Sequence, residues 1–136
     1  MISQEDINAM KDTYAYWSED EESMETKDLV KEFARLAAQS PSAGLYATLI
    51  QEEFDEWRSS YLRDEKEPQL KELADLIYVV YGYANIKGWD LDEAIYRVHV
   101  NNVGRMFQPD GTIHRRKDGK VIKNKNYPKV NLSDLV

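Results

Sequence analysis

The chain has 136 residues, of which 42% are hydrophobic and 32% charged, the size and mixture of one compact domain. Eighteen Lys and Arg against 25 Asp and Glu give a net charge of −7, so a whole-surface basic footprint for nucleic acid is absent. No apolar run approaches the roughly 20 residues of a membrane span, the N-terminus lacks the order of a signal peptide, and there is no Cys, so a cytoplasmic protein without disulfides or thiolate metal sites is expected. With only His99 and His114, a metal would be held by oxygen ligands, which favours Mg²⁺, with Mn²⁺ a possible substitute, over zinc.

In chain order, Ile7, Met10, Tyr14 and Trp17 predict a short one-faced helix over about 4–17, before the acidic run Glu19-Asp20-Glu21-Glu22, expected to be solvated surface. Leu29, Val30, Phe33, Leu36 and Ala37 predict a second helix over about 27–39, ending ahead of Pro41. A third, about 42–61, carries the stripe Tyr46, Ile50, Phe54, Trp57 and Tyr61. A fourth runs from about Pro68 to Asn85, ahead of Gly88, and is apolar over most of its circumference. Asp90 and Glu93 form an Asp-x-x-Glu capping pattern for a fifth, ending near Met106.

Charge is unevenly distributed. Residues 1–104 hold 10 Lys and Arg against 22 Asp and Glu, whereas 105–136 hold 8 against 3. In that basic tail, Asp118-Gly119 lies between segments containing Ile113, Val121 and Ile122, which predicts a small β-hairpin packed on the helical body or on another subunit. The expected organisation is an all-α domain over 1–106 with a basic hairpin and tail over 107–136.

Two helices carry carboxylates toward apolar faces. At about 100° per residue, Glu72 falls between Leu76 and Val79, and Asp75 follows one turn on. In the third helix Glu53 and Glu56 flank Leu49 and form the better inward pair, while Glu52 and Asp55 point farther toward solvent. Packed together, the two helices could present Glu53, Glu56, Glu72 and Asp75. With no basic neighbour foreseen, four such groups would repel unless divalent cations sat among them.

Glu53-x-x-Glu56 and Glu72-x-x-Asp75, with 15 residues between Glu56 and Glu72, resemble the paired motifs of the MazG-like all-α nucleoside triphosphate pyrophosphohydrolases. The surrounding Leu49 to Trp57, Glu72 to Gly82 and Gly88-Trp89-Asp90 follow that family's order, and Asn102 with Arg105 is similar to its Asn-x-x-Lys, Arg replacing Lys. The similarity covers about 27–105. The ending, with Asp-Gly-Lys and Asn-Tyr-Pro, resembles phage and bacterial members close to phosphoribosyl-ATP pyrophosphohydrolases, which hints at nucleotide-pool management in an infected host's cytoplasm.

The resemblance implies a MazG-like helical bundle that hydrolyses a (d)NTP between its α and β phosphates with Mg²⁺, as a homodimer or homotetramer. It implies Glu53, Glu56, Glu72 and Asp75 as metal ligands, Glu52 or Glu53 as the residue orienting or deprotonating the water, and Asn102 and Arg105 as substrate-binding groups. Arg can bind phosphate bidentately where Lys acts as a point charge. The alternatives are phosphoribosyl-ATP as substrate, or a non-catalytic nucleotide-binding regulator. Arg115, Arg116, Lys117, Lys120, Lys123 and Lys125 read as a ribbon docked on an acidic body or as a phosphate clamp, and no nucleic-acid or membrane partner is expected. A di-iron bundle is disfavoured, because neither His has Asp or Glu three residues before it. His99, His114 and the aromatics Tyr46, Trp57, Tyr61 and Tyr83 are expected to be mainly structural.

Overall fold

The computed structural model describes Glu5 and residues 25–36 and 42–136. The first expected helix, apart from Glu5, and the acidic run at 19–22 lie outside the described residues. Four α-helices account for most of the rest: α1 (Thr26–Leu36), α2 (Ala43–Leu62), α3 (Lys66–Lys87) and α4 (Leu91–Met106), with a 3₁₀ turn at Ser133–Leu135. The chain is all-α, and among the described residues no helix is long and apolar enough to cross a membrane. It divides into two compact units, Met1–Gly88 and Trp89–Val136.

In the first unit, the Ser42 hydroxyl accepts the Leu45 N–H at 3.0 Å, so α2 starts where a side chain can satisfy one of its orphan donors. Residues 63–65 then turn the chain back, with Asp64 in the left-handed region at φ 54°, a conformation Asp tolerates better than most residues. A connection this short makes α2 and α3 neighbours, and their mutual packing is the most extensive among the described helices. Helix α3 begins at Lys66, two residues before the expected Pro68, because Pro is equally harmless elsewhere in a first turn whose N–H groups have no intrahelical acceptor. It ends where Gly88 adopts φ 73° and donates its N–H to the last-turn carbonyls.

Few of the described residues of this unit are fully buried. Val30, Tyr46 and Ala84 are buried, and Phe33 of α1 meets Tyr78 of α3 edge to face at 5.8 Å. A Cβ at position 82 would overlap the Tyr46 ring, so glycine is what lets α2 and α3 approach closely there. Phe54, Leu45, Ile77 and Leu70 remain 41%, 50%, 50% and 71% exposed, an apolar surface that the described packing does not cover.

In the second unit, Asp90 Oδ1 accepts the Glu93 N–H at 3.1 Å, as the capping pattern predicts. The expected β-hairpin is corrected to a single antiparallel bridge between Arg115 and Val121 around the Asp118-Gly119 turn. The turn forms, with the Arg116 N–H donating to the Lys120 carbonyl at 2.7 Å. A ladder does not extend from it because residues 111–120 are all exposed and offer no apolar face to bury. The tail is instead tied to α4: Asn124 N–H donates to the Arg105 carbonyl (2.7 Å), Asn101 Nδ2 to the Pro128 carbonyl (2.8 Å), and Arg97 forks onto both oxygens of Asp134 (2.5 and 2.9 Å).

Candidate active site

Helices α2 and α3 bring three of the expected carboxylates together. Glu53, Glu56 and Glu72 each offer an oxygen, all within 4.8 Å of one another. Glu53 and Glu72 are half-buried, whereas Glu56, expected to face inward, is exposed yet still reaches the group. The Oε2 atoms of Glu53 and Glu72 are sealed from solvent and have no hydrogen-bond partner. Burial, then the charges of Glu56 and Asp75 and hydrogen bonds with Glu56 and Glu72, push the Glu53 carboxyl up to about 7.

Asp75 stands beside the trio rather than in it. Its charge acts on Glu53, while its Oδ2 lies 2.6 Å from Lys71 Nζ, which is also 3.5 Å from Glu72. Lys71 is the basic neighbour not foreseen from sequence, although its place four residues before Asp75 is a helical ion-pair spacing. Glu52 is exposed and outside the trio, and Asp55 accepts a hydrogen bond from Gln51 at 3.0 Å.

The donor set fits a hard divalent cation. It consists of three carboxylates that each offer an oxygen close enough to share an ion, and two of them, Glu53 and Glu72, also carry a buried oxygen without a partner, an arrangement a +2 charge would stabilise. Asn85 was not foreseen either: its Nδ2 is buried without a partner, at a cavity of about 200 Å³ lined also by Val30, Tyr46 and Gly82.

Asn102 and Arg105 belong to α4 of the second unit. Asn102 Oδ1 accepts from Lys123 Nζ at 2.9 Å, and the buried Nε of Arg105 has no partner. His99 is exposed, and His114 Nε2 lies 3.1 Å from the Thr112 hydroxyl. Among the aromatics, Tyr46 is core, Trp57 stacks on Tyr61 at 5.8 Å, and Tyr83 lies under the Lys87 ammonium.

The family model for phosphoribosyl-ATP pyrophosphohydrolase matches residues 25–102, more than half of the chain. The chain belongs to that family, within the MazG-like nucleotide pyrophosphohydrolase superfamily. The matched family segment contains Glu53, Glu56, Glu72, Asp75 and Asn102, and it stops short of Arg105 and the basic tail. Comparison with individual curated proteins returns no match. Family membership supports nucleotide pyrophosphohydrolysis as the general activity of this enzyme class.

Proposed function

We propose that the protein is a Mg²⁺-dependent pyrophosphohydrolase that cleaves a nucleoside triphosphate, preferably a deoxynucleotide, between its α and β phosphates to give the monophosphate and pyrophosphate. The observation that carries this reading is the Glu53, Glu56 and Glu72 trio, with two buried carboxylate oxygens lacking any partner. Glu53, Glu56, Glu72 and Asp75 are assigned to holding the cation. When bound, Mg²⁺ would neutralise the polyphosphate and lower the pKa of an attacking water.

Glu52 or Glu53 is assigned to orienting or deprotonating that water. Asn102 is assigned to the sugar or a phosphate and Arg105 to a phosphate, on their chemistry and their similarity to the family's Asn-x-x-Lys. The uncovered apolar surface of α2 and α3 supports a homodimer or homotetramer in which a second copy covers it. A cytoplasmic location completes the reading.

A second reading has its own support, because the matching family model is that of phosphoribosyl-ATP pyrophosphohydrolase. Both substrates present the same α–β phosphoanhydride, so the choice lies in what surrounds the triphosphate. Incubation with each dNTP, each NTP and phosphoribosyl-ATP, with Mg²⁺ and product chromatography, separates the two readings. Monophosphate and pyrophosphate from dNTPs fastest supports the first, and turnover confined to phosphoribosyl-ATP supports the second. Diphosphate and orthophosphate as products would contradict both.

A further inference from the structure

The second unit holds a cavity of about 410 Å³ whose charge is opposite to that of the carboxylate site. Arg105, Arg116, Lys120, Lys123 and Lys125 line it, over Val121 and Ile122. Asp118 pairs with Arg116 at 2.5 and 3.0 Å, and its charge also acts on Lys120. Lys123 is held by the neutral amide oxygen of Asn102 at 2.9 Å, and no acidic side chain pairs with Lys125 or Arg105 among the described residues. Five positive charges thus meet one carboxylate, Asp118, at this concavity among the described residues, a net excess of four in a protein whose overall balance is −7.

The cluster is held in place by backbone geometry. The Asp118-Gly119 turn sets Lys120 and Val121, the Ile122 N–H donates to the His114 carbonyl at 2.8 Å, and the Asn124 N–H donates to the Arg105 carbonyl at 2.7 Å. This fixes the tail cations against the end of α4. Repulsion among them, together with a desolvated Arg105 Nε that donates to nothing, calls for an anion with several acceptor oxygens.

We propose that residues 105–125 form an anion-binding site for linked phosphate groups, such as pyrophosphate or the polyphosphate chain of a nucleotide. A single phosphate carries only about −1.5 to −2 charges at pH 7, whereas linked phosphates come closer to that excess of positive charge and span more than one cation. The Arg105 guanidinium would supply the planar fork and the lysines the point charges. The site depends on none of the carboxylates, and its recognition chemistry requires no metal.

The test is calorimetric titration of the full chain with tripolyphosphate, pyrophosphate and orthophosphate in EDTA at low salt. Without a divalent ion the carboxylate trio repels phosphate, so binding there reports the basic cavity. The expected result is saturable tripolyphosphate binding, at least about tenfold tighter than orthophosphate and weakened by salt. Lys120→Ala with Lys125→Ala, both at exposed positions, should weaken it by at least about tenfold, the effect of losing two charge-assisted contacts, without lowering the melting temperature. Glu53→Gln and Glu72→Gln should leave it unchanged, so a failure of the proposed hydrolysis would not touch this result. Absence of binding, equal affinity for orthophosphate, indifference to the lysine pair, or tighter binding of a single-stranded oligonucleotide would each overturn the proposal.

Discussion

The two units gather like charges by different means. In residues 1–88, regular helices place carboxylates at i, i+3 positions on α2 and α3, and packing those helices brings Glu53, Glu56 and Glu72 within 4.8 Å. In residues 89–136, irregular chain held by turns and backbone hydrogen bonds places Lys120, Lys123 and Lys125 around the end of one helix. Each arrangement leaves buried polar atoms unpaired, on Glu53 and Glu72 in one and on Arg105 in the other. Lys71 in the first unit and Asp118 in the second offset only part of this charge, and the excess opposes folding; the proposed ligands, a divalent cation and a phosphate chain, would each relieve it.

The largest effect that would break this contrast is catalytic. Glu53→Gln keeps the shape of the side chain and removes its charge, and turnover should fall by about 10²–10⁴-fold, measured by pyrophosphate release under saturating Mg²⁺. Unchanged turnover would leave the trio as helix-surface charge.

The next effect is a pH dependence confined to the acidic unit. A folded-state value of about 7 against an ordinary 4.5 means that the folded protein holds the Glu53 proton to higher pH than the unfolded chain does. The stability from this group is therefore fully present below about pH 4.5 and lost as pH rises through 7. Metal-free protein melted at pH 5 and pH 8 should lose on the order of 1–3 kcal/mol at the higher pH from this source. Glu53→Gln should flatten that component, and Mg²⁺ should restore stability at pH 8.

Gly82→Ala tests the helix contact that supports the trio. Its methyl group would meet the Tyr46 ring, so denaturant melts should show a loss of about 1–3 kcal/mol. Asp90→Ala probes the second unit through its α4 cap and should cost about 1 kcal/mol in the same assay. The smallest effect belongs to Asp134→Asn: it removes an exposed partner of Arg97, and a denaturant midpoint close to that of the native protein is expected.

The acidic unit was the more legible in sequence, because helical periodicity maps residue number directly onto a face. Gly88 and the Asp90 with Glu93 pattern marked helix ends correctly, while Pro68 misplaced the start of α3 by two residues. The carboxylate pairs were visible as interruptions of apolar stripes. Lys71 was overlooked, although a charge four residues before Asp75 is visible in any helix. The tail was harder to read, since an Asp-Gly turn predicts reversal of the chain but not how far a ladder extends from it. The absence of an alternating apolar face in residues 111–120 was the signal against strands. Nothing in the local pattern shows that Lys120 and Lys125 would converge with Arg105, because turns and long-range backbone hydrogen bonds decide it.

The most direct test of the metal assignment is a Mn²⁺ titration followed by electron paramagnetic resonance, with native protein, Glu72→Gln and the Lys120→Ala, Lys125→Ala pair in parallel. Binding that saturates in the native and lysine-substituted proteins and is lost from Glu72→Gln is the predicted result. Equal Mn²⁺ binding by native protein and Glu72→Gln would contradict a metal centre built on the trio.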